Sequence, residues 1–157
     1  MIGFILSASL LLFAAAPQAP AAPAVESAAM QHATGTFDVT LTPVPPAAAA
    51  PAGMPGRMTI DKTFHGGIEG RSVGEMLATM EGASGAYVAL ERVTATINGR
   101  SGTFAMVHVG VVDQGASDLS IKIVPGSGTG EFAGIAGIFH LTIANGGHSY
   151  DLEYSLP

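Results

Sequence analysis

Asn98-Gly99 constrains this chain more than any other dipeptide in it. A two-residue hairpin turn of type I′ needs positive φ at both central positions, and Asn-Gly is the pair that meets this with least strain. Two runs rich in β-branched residues flank it, within residues 85–113, GAYVALERVTATINGRSGTFAMVHVGVVD. With a two-residue loop, Ile97 faces Arg100, Glu91 faces Met106 and Tyr87 faces Gly110, with His108 diagonal to both Glu91 and Tyr87. With a four-residue loop, Glu91 faces His108 directly. Either way Tyr87, Glu91 and His108 share one face, roughly 5–8 Å apart at Cβ. A three-residue loop would turn one strand over and separate them.

That face carries Tyr87, Ala89, Glu91, Val93 and Ala95, then Phe104, Met106, His108 and Gly110. It mixes small residues with aromatic ones, the pattern that leaves space inside a small barrel. The opposite face becomes polar toward the hairpin tip, as an outer surface does. The first face is therefore expected inside. Val107, Val109 and Val111 are then expected outside, where they need cover from a partner subunit or another segment.

The rest of the chain repeats the same period of two. Residues 35–41 alternate Phe37, Val39 and Leu41 with Thr36, Asp38 and Thr40. Residues 57–65 alternate Met58, Ile60, Lys62 and Phe64 with Thr59, Asp61, Thr63 and His65. Residues 68–81 read as a strand, although Ser72 and Glu75 resemble a helix capping box. Further strands are expected over residues 119–123, 138–144 and 148–156, the last two around Asn145-Gly146-Gly147. Residues 125–137, PGSGTGEFAGIAG, read as a Gly-rich connection with one helical turn near Glu131. The total is eight strands joined by short turns. The predicted fold is all-β: a closed, eight-stranded, antiparallel up-and-down barrel, the size that holds side chains or one small ligand.

Outside the barrel two stretches differ in composition. Residues 1–16, MIGFILSASLLLFAAA, are continuously apolar, about the length of a signal-peptide core and short of the roughly 20 residues of a membrane span. Ala22-Pro23-Ala24 offers small residues for cleavage before Val25. Residues 1–24 are thus expected to be a signal peptide, 25–32 an Ala/Pro-rich tether containing His32, and 33–157 the barrel domain. The mature protein is expected to be periplasmic or secreted, with no membrane span. Residues 42–56, TPVPPAAAAPAGMPG, hold prolines that cannot join a ladder, so they read as a flexible surface loop rather than a lid.

Charge and motifs exclude several function classes. The chain of 157 residues has 6 Lys+Arg against 12 Asp+Glu and no cysteine. No basic cluster exists to bind nucleic acid, and no thiol can act as nucleophile or metal ligand. Ser127-Gly128-Thr129-Gly130 lacks the Lys and the long helix of a phosphate-binding loop. No GxSxG elbow is present. The five histidines show no HxH or HxxxH spacing, so a metal site would have to be assembled across strands with Glu91 or Glu69. No metal and no cofactor are expected.

What remains is acid–base chemistry or binding. Desolvation raises the pKa of a carboxyl group in an apolar cavity, and imidazole and phenol neighbours can exchange protons with it. Glu91, His108 and Tyr87 are the candidate catalytic residues. Phe104, Met106, Glu69, Glu75, Tyr150 and Tyr154 are the candidate ligand contacts. Three readings follow: a barrel binding a small apolar or amphipathic ligand; a cofactor-free isomerase or cyclase; and a structural, oligomeric protein with a filled interior. A homo-oligomer is expected on the strength of the Val-rich outer face.

The segments TFHGGIEGRSVGEML, YVALERVTATINGRSGTF and VPGSGTGEFAGIAG resemble a bacterial family known as domain of unknown function 3224. The resemblance covers about residues 34–156. The chain departs from the family's pattern in its apolar leader and in the Ala/Pro stretch at 42–56. The resemblance implies a closed eight-stranded barrel similar to that of allene oxide cyclase and to lipocalin-like barrels. A likeness at the level of fold permits an isomerase or cyclase without transferring the activity.

Overall fold

A computed structural model describes residues 28–157; the expected signal peptide lies outside these residues. Among them the strands are β1 (Gln31–Val44), β2 (Gly56–Gly66), β3 (Ile68–Glu81), β4 (Ser84–Ile97), β5 (Arg100–Asp113), β6 (Ala116–Ile123), β7 (Thr129–Gly130), β8 (Ala136–Ala144) and β9 (Gly147–Ser155). Each of β1 to β5 pairs antiparallel with the next, β6 pairs with β8, β8 with β9, and β9 returns to β1. Eight strands thus close a ring, and β7 lies outside it, paired to β5 at Gly102 and Thr103. Closure removes the free edges that an open sheet would expose.

The central hairpin has the register of the two-residue loop. Ile97 pairs with Arg100, Glu91 with Met106 and Tyr87 with Gly110. Asn98 and Gly99 both have positive φ, 50° and 78°. Gln114-Gly115 and Asn145-Gly146 make the same kind of turn. The first strand is longer than expected at both ends: it begins at Gln31 and runs through Pro43 to Val44, so residues 42–44, expected in the loop, pair with Thr59, Met58 and Arg57 of β2. His32 therefore lies in β1 and not in a tether: it pairs with Glu153, and its Nδ1 lies 2.9 Å from Asp151 Oδ1.

Side chains fill one end of the barrel. The connection from β6 to β8 folds through a series of tight turns and drops Phe132 and Ile135 into the core. Phe132 meets Phe104 edge to face, with centroids 5.6 Å apart. Tyr154 closes the same end, where its hydroxyl accepts from Asn98 Nδ2 at 2.9 Å and donates to Gln31 Oε1 at 3.1 Å. In mid-barrel Phe37, Phe64, Phe139 and Tyr150 pack ring against ring. The seam between β6 and β8 is the thinnest in the ring, with one paired position, Lys122 and Ile138.

The outer face bears Val73, Leu77, Val88, Leu90, Val109 and Val111, each about half exposed. The cross-strand pairs Leu77–Val88, Val88–Val109 and Leu90–Val107 join them into one apolar stripe over β3, β4 and β5. Among the described residues nothing covers this stripe.

Candidate functional site

Four adjacent strands each aim one polar side chain into the barrel: Lys62 from β2, Ser72 from β3, Glu91 from β4 and His108 from β5. All four are buried. The alternation of each strand dictates this. Ile60 and Phe64, two residues either side of Lys62, point inward, so Lys62 must do the same. The wall opposite Glu91 is thinned to make room, since its partner on β3 is Gly74, where a Cβ would meet the Glu91 backbone.

Lys62 and Glu91 form an ion pair, Nζ to Oε2 at 2.7 Å, with side chains 7% and 0% exposed. The ammonium approaches off the hydrogen-bonding direction. Neither Glu91 oxygen, nor His108 Nε2, nor Ser72 Oγ has an aligned hydrogen bond among the described residues. Buried polar groups are nearly always bonded, so four unbonded atoms in one place single out this region. Lys62 Nζ also lies 4.8 Å from the centroid of the Phe37 ring, whose face attracts a cation.

His108 Nε2 is 3.6 Å from Glu91 Oε2. Burial pushes the imidazole down to about 4, against the pull of the Glu91 carboxylate and with the push of the Lys62 ammonium. At neutral pH His108 is therefore uncharged, and Lys62 supplies the only cation facing Glu91 in this cluster. Burial raises the pKa of Tyr87, so its phenol stays protonated and can donate.

Above the cluster is a cavity of about 380 Å³. Leu41 and Met80 form its exposed rim, and Val39, Ile60, Met76, Ala89 and Leu141 line its walls. Lys62, His108, Tyr87 and His148 are the polar groups on its surface, with His148 stacked on Phe37 at 4.9 Å. Glu91 does not reach the cavity; Lys62 and His108 stand between. No residue of the loop at 45–55 lines the cavity. That loop instead borders a shallow groove with Arg57 and the outward-facing Leu77.

The predicted trio thus lies on one face, but with unequal access. Tyr87 and His108 touch the cavity, and Glu91 lies behind it. Phe104 and Met106 are completely buried in the core and do not line the cavity. The Tyr150 hydroxyl accepts from Ile68 N at 2.8 Å and donates to His65 O at 3.2 Å, so it braces two strands. Tyr154 belongs to the sealed end. Glu69 and Glu75 point outward, away from the cavity, and Arg57 grips Glu75 from β2 at 2.6 and 3.0 Å. The inward side of β3 carries Gly70, Ser72 and Gly74 instead.

Sequence reasoning missed Lys62 and Ser72. A signal for Lys62 was available: it is the one charge in the apolar series Met58, Ile60, Lys62, Phe64.

A closed antiparallel barrel, sealed at one end and open at the other onto a buried charged pair, defines a small all-β barrel protein with an internal cavity. The chain belongs to the DUF3224 family of proteins of unknown function, whose sequence profile matches residues 33–154. It is similar to a protein of unknown function of that family from Shewanella oneidensis MR-1, known from a crystal structure. The two are 42% identical over 82% of this chain and 99% of that one, with a TM-score of 0.74. No curated protein matches the chain.

Proposed function

We propose that the protein binds a small apolar or amphipathic ligand inside its barrel. The observation that carries this reading is the cavity of about 380 Å³, with mostly apolar walls and with Lys62, His108 and Tyr87 converging on it. Small-molecule sites have this make-up: apolar surface for affinity, a few polar groups for orientation, and volumes of roughly 300–1,000 Å³. The ligand's apolar part lies along Met58, Met76 and Met80, whose flexible thioethers adapt to shape. Its polar end meets Lys62 and His108.

The test is titration with a neutral naphthylamine dye, followed by competition with medium-chain alcohols. Saturable binding that Ala89→Phe abolishes, with the circular dichroism unchanged, supports the reading. Dye binding that survives filling of the cavity places the ligand elsewhere and overturns it.

A second reading, a cofactor-free isomerase or cyclase, is favoured by the unbonded Glu91 carboxylate beside an uncharged His108. Glu91 would exchange protons with the substrate through Lys62 or His108, because it does not touch the cavity itself. Glu91→Gln separates the two readings. It stops turnover if the carboxylate carries protons and leaves affinity largely unchanged if it only orients the ligand.

A further inference from the structure

We propose that Lys62 is a covalent site for aldehydes or ketones, which it captures as a reversible Schiff base. The proposal rests on the reading that the cavity admits an apolar ligand. It adds what the polar end of that ligand is.

The argument begins with which atom faces the ligand. Of the ion pair, only the lysine lines the cavity; the carboxylate lies behind it and touches nothing a ligand can reach. A pair built only to brace the barrel has no need to turn its amine toward an open space. A lysine in an apolar pocket beside a proton acceptor is a recurring nucleophile for carbonyl compounds. Glu91 Oε2, at 2.7 Å, is that acceptor.

The step balances without any further reagent. Glu91 takes one proton from the Lys62 ammonium. The free amine adds to the carbonyl carbon, forming the C–N bond as the C=O π bond opens, and one proton passes from the added nitrogen to the oxygen to give a neutral carbinolamine. Glu91 returns its proton to the carbinolamine hydroxyl, the C–O bond breaks and water leaves. An iminium cation and a carboxylate remain, with the same total charge as the ammonium and carboxylate they replace. The Phe37 ring, 4.8 Å from the nitrogen, faces a cation before and after. The product therefore inherits a site already charge-balanced for it. His108, uncharged and 3.6 Å from the same carboxylate oxygen, adds no competing cation.

The chain's lysines are Lys62 and Lys122, and Lys122 is exposed on the outside of the barrel. This makes the experiment clean. The full chain is incubated with octanal, reduced with cyanoborohydride and analysed by intact mass and peptide mapping, while octanol is titrated in parallel as a ligand without a carbonyl. The expected result is one octyl group on Lys62 with Lys122 free; any label on the N-terminal amine maps to its own peptide and is not counted. Lys62→Arg, with its circular dichroism unchanged, loses the adduct. Octanol binding without an octanal adduct at Lys62 overturns the Schiff base and leaves the cavity reading standing. Equal labelling of Lys62 and Lys122 reduces the reaction to ordinary lysine chemistry and overturns it too. If neither compound binds, both readings fall.

Discussion

Lys62 Nζ sits 2.7 Å from Glu91 Oε2, with the lysine turned to the cavity and the carboxylate completely enclosed behind it. Removing one member of such a pair strands a charge without solvent, which costs about 3–5 kcal/mol. Lys62→Met and Glu91→Leu are each expected to lose that much in urea unfolding. The double variant is expected to lose much less than their sum, because no unpaired charge is left. Additive losses within about 0.5 kcal/mol would show that the two side chains do not sense each other.

Stability is expected to fall as the pH drops from neutral, because of His108. Burial holds its folded pKa down at about 4, against 6.5 for an ordinary histidine. Between those values the unfolded chain binds the proton and the folded chain refuses it, so acid favours unfolding. The contribution is complete above pH 6.5 and lost as the pH approaches 4, in total about 3 kcal/mol. The exposed His32–Asp151 pair, whose histidine is shifted upward, works in the opposite direction. Denaturation at neutral pH and near pH 4, for the protein and for His108→Gln, isolates the histidine's share. An equal acid loss in both would assign it to other groups.

Gly110 gives Tyr87 its position. The two are direct cross-strand partners, and a Cβ on Gly110 would run into the Tyr87 ring. Gly110→Ala is expected to cost about 1–3 kcal/mol by overpacking and to turn the ring away from its present place on the cavity wall. Tyr87→Ala in the same chain is expected to restore most of the stability. No recovery in the double variant means the strain lies in the backbone and not against the ring.

Phe132 gives a contrasting case at the sealed end. It is completely buried against Phe104, some distance along the barrel from the cavity wall. Phe132→Ala is expected to cost about 3–5 kcal/mol, leaving dye binding to the remaining folded protein intact. Lost binding at equal folded fraction would show that the plug shapes the cavity.

Those four cases show how far the sequence reaches. The Asn98-Gly99 turn and the alternation on either side of it determine the hairpin register, and with it the shared face of Tyr87, Glu91 and His108. The inward face of β3 was harder to read, because Gly70, Ser72 and Gly74 carry no apolar signal. They are small because the wall runs close to β4, a tertiary demand that leaves no mark in the local pattern. Glu69 and Glu75 therefore looked like candidates for the cavity when they belong outside. Phe132 and Ile135 sit in a Gly-rich connection whose composition suggests a surface loop, and only the closed ring reveals an end for them to plug. The pairing of His32 likewise depends on β9, at the far end of the chain.

The join between β1 and β9 also has a consequence in time. Tyr154 donates to Gln31 across a sequence separation of 123 residues, and the strands around them complete the ring. Every other neighbouring pair in the barrel can zip as a local hairpin or after a short detour, but this one must wait for the last strand to be made. Pairing between distant segments is the slow part of folding, and until it happens both end strands present bare edges. The cavity wall itself spans that join, from Phe37 and Val39 on β1 to His148 on β9, so the ligand site is complete only when the two most distant strands have met.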